Sequence, residues 1–99
     1  MEYRIRQSKL FEKKVTDLLA YLEQSWNKKV AQDFKQILDR KMLQLIKEPD
    51  SGRNSQKIAG VQWILITKHN KLFYRIKDDT IYMITLFDTR QNPKKNKYE

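Results

Sequence analysis

Among the side chains able to do chemistry, His69 is the one histidine, and its ordinary pKa would suit proton transfer at neutral pH. It sits in a K-H-N triplet between two apolar runs, where an exposed polar residue needs no chemical role. The cations fall at separate points. Arg53 follows Gly52 in a polar stretch, Lys68 and Lys71 flank His69, and Arg75 follows Tyr74. Arg90 lies just past the last apolar run, and Lys94, Lys95 and Lys97 are in the tail. Groups of this type hold anions. Lysines and arginines of the tail could contact phosphates and add salt-dependent affinity without sequence choice. The bland alternatives are solvated charge, or, for Arg90, an ion pair with Asp88. The chain has no cysteine, which excludes disulfides, Cys-ligated zinc and thiol nucleophiles. One histidine leaves little besides carboxylates to ligate a metal, so neither a metal nor any cofactor is expected.

The charge balance agrees with this reading. Lys and Arg number 21 against 12 Asp and Glu, a formal net charge of +9 on 99 residues. Such a surplus suggests an anionic partner, whether nucleic acid or an acidic protein segment. A plain nucleic-acid-binding module would share the charge, but no RNP, KH or zinc signature is present. The first residues, MEYRIRQSKLFEKK, contain no apolar signal-peptide core, and no apolar run approaches the roughly 20 residues of a membrane span. A cytoplasmic protein without membrane contact is expected.

The elements that must position these groups are legible from periodicity. Residues 2–6 alternate, with Tyr3 and Ile5 on one face, as in a short strand. Ser8 is a natural N-cap for a helix over about 9–24, whose apolar stripe runs Phe11, Val15, Leu18, Leu19, Leu22 and Trp26. A second helix over about 27–47 carries Val30, Phe34, Ile37, Leu38, Met42, Leu45 and Ile46 at three- and four-residue spacing. So short a junction folds the pair back as an antiparallel hairpin, and its apolar stripes need a sheet beneath them. Residues 47–57, KEPDSGRNSQK, read as the longest loop, closed by Gly60. Three strand-like runs follow at 61–67, 71–76 and 80–87, joined by short polar connections, and predict an antiparallel meander. Pro93 should stop the last strand. The expected fold is one α+β domain over 1–99: a short N-terminal strand, an antiparallel helical hairpin, then a three-stranded antiparallel meander (β-α-α-β-β-β) with the helices on one sheet face. Alternation puts Tyr74 and Arg75 on opposite faces, with Tyr74 in the core and Arg75 outside. Trp26 and Trp63 are expected to pack in the core.

Several stretches in this order carry a family resemblance. They are F-x-x-x-V-x-x-L-L-x-Y-L at 11–22, Trp26 near the helix junction, L-x-L-I-K-E-P at 43–49, K-H-N-K-L-F-Y-R-I at 68–76, D-D-T-I at 78–81 and L-F-D-T-R-Q-N-P-K-K at 86–95. As an ordered set, covering essentially the whole chain, they resemble the RelE/ParE toxin superfamily of bacterial type II toxin–antitoxin systems. The resemblance implies a growth-arresting toxin, of the kind tied to plasmid stabilization, silenced by a cognate antitoxin encoded next to it. It also implies one of two targets. RelE-like members cut messenger RNA on the ribosome as mRNA interferases; ParE-like members block DNA gyrase and do not cut RNA.

Metal-free RNA cleavage needs a group to take or orient the 2′-hydroxyl proton and cations to stabilise the phosphate. The resemblance places two sheet lysines of RelE-like nucleases at about Gln62 and Ile64, neither basic. It places a strand arginine at about Lys71, which lacks the bidentate fork, and a late arginine at Arg90. A C-terminal tyrosine falls near Asn96, with Tyr98 within a short slip. The nuclease pattern is mostly lost, so the resemblance favours a ParE-like gyrase poison, with a RelE-like ribosome-dependent endonuclease as the alternative. For a nuclease the candidate catalytic residues are Arg90, Lys71, Tyr98 and His69. For binding a target or nucleic acid they are Arg53, Lys68, Lys71, Arg75, Arg90, Lys94 and Lys95.

Overall fold

A computed structural model of the chain describes residues 2–90 and 97–98. Strand β1 (Arg4–Gln7) leads into helix α1 (Lys9–Ser25) and helix α2 (Lys28–Lys47). A 3-10 turn (Pro49–Ser51) and a two-residue strand β2 (Arg53–Asn54) precede β3 (Val61–Thr67), β4 (Asn70–Lys77) and β5 (Thr80–Asp88). The strands form one five-stranded sheet in the order β1-β5-β4-β3-β2. The meander β3-β4-β5 is antiparallel throughout, whereas β1 joins β5 in parallel, so the sheet as a whole is mixed.

Local chemistry sets the boundaries. The Ser8 hydroxyl accepts from the Phe11 amide at 2.9 Å and donates to the Ile84 carbonyl at 2.7 Å, capping α1 and tying its start to β5. Ile84 is the extra residue of a bulge, since Tyr74 pairs with Met83 while Phe73 pairs with Thr85. Asn27 caps α2 through Oδ1, which accepts from the Val30 amide at 2.9 Å. Asp78, with φ of 56°, supplies the left-handed residue of the tight β4–β5 turn. Gly60, with φ of 83°, turns the chain into β3.

Both helices lie on one face of the sheet. Phe11, Phe34, Leu38 and Leu45 meet Ile66, Leu72, Tyr74, Ile81, Met83 and Leu86 there. Burial of each such side chain contributes about 1.5–3 kcal/mol. Tyr3 and Ile5 pack against this cluster, as their alternation predicts. Tyr74 is fully buried and anchors the long loop. Its hydroxyl donates to the Pro49 carbonyl at 2.9 Å and accepts from the Gly52 amide at 3.0 Å. A Cβ on Gly52 would run into that hydroxyl and lie 3.0 Å from the Trp63 carbonyl.

Two expectations need correction. Trp26 is not in the core: it is 69% exposed, because α1 ends at Ser25 and Trp26, as its C-cap, leaves helical geometry with φ −128° and ψ −90°. Trp63 is only partly buried, on the sheet face away from the helices, since β3 is apolar on both faces and alternation alone cannot say which one is covered. The segment read as loop also holds β2, whose two residues are too few to show a period. Pro93, Lys94, Lys95 and Asn96 lie outside the described residues.

Candidate functional site

Register divides the candidates between two surfaces. The first is the sheet face opposite the helices. Cross-strand pairs place Lys71 beside Leu65 and Phe87, Phe73 beside Trp63 and Thr85, and Arg75 beside Val61 and Tyr82 on this face. Arg53 pairs with Trp63 across β2 and β3. The Lys71 Nζ stands 4.0 Å from the centroid of the Trp63 ring, and the Arg53 Cζ stands 5.7 Å from it. The indole thus holds two cations by cation–π attraction. The Tyr98 ring lies 5.7 Å from that of Phe73, and the Ser55 hydroxyl donates to the Tyr98 carbonyl. Val61 and Phe73 are buried on this side, and beyond them the half formed by β4, β5 and β1 is open, with Arg4, Arg6, Arg75, Lys77 and Tyr82 exposed.

The second surface lies at the end of the sheet where the β3–β4 turn meets the end of β5. The Thr89 amide donates to the His69 carbonyl at 2.9 Å, and the Thr89 hydroxyl donates to the Lys68 carbonyl at 3.2 Å. Lys68 itself is exposed in the turn. Arg90 donates to the Asp88 carboxylate from Nε at 3.0 Å and Nη2 at 2.8 Å, and its amide adds a third bond at 2.9 Å. These bonds hold the Asp88 carboxyl below the usual carboxylate range, against the partial burial that would raise it, and Asp88 in turn raises Arg90. His69 and Arg90 line a groove of about 500 Å³ that continues between the helices past Tyr21, Leu22, Trp26 and Phe34. Tyr21 and Trp26 are 55% and 69% exposed there, which makes a largely apolar groove whose charged lining residues are Arg90 and Asp33.

The structure therefore brings His69 together with Arg90, and Lys71 with Arg53 and Trp63, but leaves Lys71 and Tyr98 on a different surface from His69 and Arg90. Gln62 donates from Nε2 to the Gly52 carbonyl at 3.2 Å, and Ile64 packs against the core, so the two positions next to Trp63 carry structural side chains. Sequence reasoning named the Asp88–Arg90 ion pair as the structural alternative, and the structure contains it, but missed that the carboxylate fixes the guanidinium from two nitrogens. It also missed Arg6 and Tyr82, which gain meaning only from the parallel β1–β5 register. Among the described residues no cluster of His, Asp and Glu is arranged to hold a metal ion. Among them, too, no helix is long and apolar enough to cross a membrane.

The model of a known family, the ParE toxin of the type II toxin–antitoxin system parDE, matches residues 5–93. The chain belongs to the ParE toxin family. Its fold is similar to a solved chain of the chromosomal ParDE system from P. aeruginosa, with a TM-score of 0.75 at 10% identity, over 87% of this chain and 95% of that one. A copper-bound mutant toxin from Helicobacter pylori is similar at a TM-score of 0.64 and 19% identity, over 88% of this chain and 94% of that one. A chain of the E. coli DinJ-YafQ toxin–antitoxin complex is similar at a TM-score of 0.63 and 17% identity, over 89% and 93%. At these identities the structural likenesses speak for the fold, and the family match speaks for a type II toxin. No curated protein matches the sequence. The ParE-family chain thus shares its fold with these solved toxin chains.

Proposed function

We propose that this ParE-family toxin, acting as one domain over residues 1–99 in the cytoplasm, arrests growth by poisoning DNA gyrase and does not cleave RNA. The observation that carries this reading is the separation of the candidate nuclease groups. A metal-free ribonuclease needs its proton acceptor and its phosphate-holding cations around one scissile bond. Here Lys71 stands over Trp63 and Tyr98 packs near Phe73, while His69 and Arg90 line a different groove. The basic residues then serve as binding groups. Arg90 is held in a fixed orientation by Asp88, which suits a contact made by geometry as well as by charge.

One observation favours the RelE-like alternative: His69 and Arg90 share a groove, a pairing of a titratable ring and a fixed cation. Pulse labelling after induced expression without antitoxin separates the two. If DNA synthesis stops first, the gyrase reading stands. If protein synthesis stops first and messenger RNA is cut, it falls, and His69 and Arg90 become the residues to mutate.

The same reading gives the toxin an antitoxin. The P. aeruginosa and E. coli structures come from toxin–antitoxin systems. For this chain the groove between the helices, apolar along Tyr21, Leu22 and Trp26 with Arg90 in its lining, suits an amphipathic segment of a cognate antitoxin that brings an acidic group to Arg90. Without it the isolated toxin should be only modestly soluble.

A further inference from the structure

The open half of the outer sheet face sets Arg75, already a candidate binding group, in an arrangement with Arg6 and Tyr82 that the gyrase reading does not use. Arg6 on β1 pairs with Tyr82 on β5, and Tyr82 pairs with Arg75 on β4. These residues therefore form one row across three strands, with a ring between two guanidinium groups. The next row repeats the pattern: Arg4 pairs with Thr80, and Thr80 with Lys77. Strand spacing puts the outer Cα positions of a row about 10 Å apart, and the rows lie about 6.5 Å from one another. Tyr82 is 38% exposed, and all four cations are exposed. The acidic groups nearby sit at the margin. Asp79 and Asp78 form the β4–β5 turn, Glu2 precedes β1, and Asp79 lies 3.7 Å from the Arg4 guanidinium. The Arg6–Tyr82–Arg75 row is therefore the more strongly positive of the two.

We infer that this face is a binding platform for single-stranded nucleic acid, with Tyr82 stacking on a base and Arg6 and Arg75 holding the flanking phosphates. Single-strand binders combine a cationic track with aromatic rings on which unpaired bases stack. A duplex fits this face less well, because its bases are already stacked and the flat face offers no helix or ribbon to enter a groove. An acidic protein segment would also answer the charge, but the more exposed aromatic side chains that could anchor one, Tyr21 and Trp26, line the groove between the helices. Arg4 and Lys77 would extend the track by one row. The inference does not depend on which enzyme or particle the toxin poisons.

The test is a fluorescence anisotropy titration of the full chain with labelled oligothymidylate, single-stranded and annealed to its complement, over a salt series. Single strands should bind about tenfold more tightly than the duplex. Each single-strand phosphate contact contributes roughly 0.7 to the slope of log affinity against log salt, so Arg6→Ala/Arg75→Ala should flatten that slope by about 1.4. The same double variant should weaken binding about tenfold or more, and Arg6→Gln/Arg75→Gln should do likewise if the alanine form folds poorly. Tyr82→Ala should lose about as much, while Tyr82→Phe keeps its ring and binds like the parent. Lys28→Ala/Arg40→Ala, which removes equal charge from the helices, should leave binding nearly unchanged. The inference is overturned if the helical pair weakens binding as much as the sheet pair. It is equally overturned if Tyr82→Ala binds like the parent, or if the chain takes up polyglutamate but not oligothymidylate.

Discussion

Arg90 shows how one side chain can have a structural partner and still be a functional group. Its fork is filled by Asp88 on two nitrogens, leaving the other faces of an exposed guanidinium free for a target. Arg90→Ala is therefore expected to relieve growth arrest while the circular dichroism spectrum and melting temperature stay near the parent's. Full toxicity at equal expression would make Arg90 structural at most. Asp88→Asn should also reduce toxicity, because it releases the orientation of Arg90 without removing its charge. The pH dependence has a definite sign. The Asp88 carboxyl is lowered in the folded state, first of all by its hydrogen bond to Arg90. Its contribution is therefore present above the unfolded carboxylate pKa and is lost as pH falls through the lowered folded value. The small stability difference between parent and Arg90→Ala at neutral pH should accordingly close at acid pH, and the Asp88 carboxyl resonance of the variant should titrate higher than the parent's. Tyr74 is the counterpart in the core. Burial pushes its phenol above the ordinary value, and its hydroxyl is bonded on both sides. Tyr74→Phe should cost about 1–3 kcal/mol in urea unfolding, since the Gly52 amide and Pro49 carbonyl lose their partner.

At the level of elements, caps and register decide where side chains arrive. Ser8 makes one bond within α1 and one to the β5 bulge, whereas the Asn27 bond is local to α2. Ser8→Ala should therefore destabilise more than Asn27→Ala, within the roughly 0.5–2 kcal/mol range of cap removal, as read from chemical denaturation. Equal losses would mean that the bond to Ile84 contributes nothing. The Ser8 cap, both helices and all three meander strands were legible, because each has a capping residue, a period or an apolar β-branched run between turn signals. Alternation put Tyr74 and Arg75 on opposite faces, and the ring, which can be buried with its hydroxyl bonded, marked Tyr74 as the inner one. Three things were not legible. Two residues of β2 carry no period, yet they set Arg53 opposite Trp63. Trp26 continues the apolar spacing of α1 by four residues from Leu22, but the helix stops one residue short of it. The run at 61–67 is apolar on both faces, which hid the exposed side of Trp63. The candidate site was legible as a list of cations and not as a geometry, because no spacing along the chain says that β1 lies beside β5.

For the whole molecule, the distribution of surface character separates two kinds of contact. The outer sheet face carries the cationic row around Tyr82, while the helical side exposes Tyr21 and Trp26 along an apolar groove. A net charge of +9 draws anionic partners to both, and the groove offers the more exposed aromatic side chains to bury. Exposed aromatic side chains of this kind tend to dominate an interface once it forms. If an antitoxin occupies the groove, Trp26 passes from water to a covered site. Its emission should then shift to the blue on complex formation, measured in a Trp63→Phe background so that one indole reports. Trp26→Ala should leave the melting temperature of the toxin near the parent's, because the side chain packs little in the free chain. The same change should weaken the antitoxin complex by about 2 kcal/mol or more, read as faster dissociation. An unshifted emission together with an unchanged dissociation rate would remove the groove from the antitoxin interface and turn attention to the exposed edge of β3. The gyrase reading and the nucleic-acid platform would be untouched by that result, since neither rests on what covers the helices.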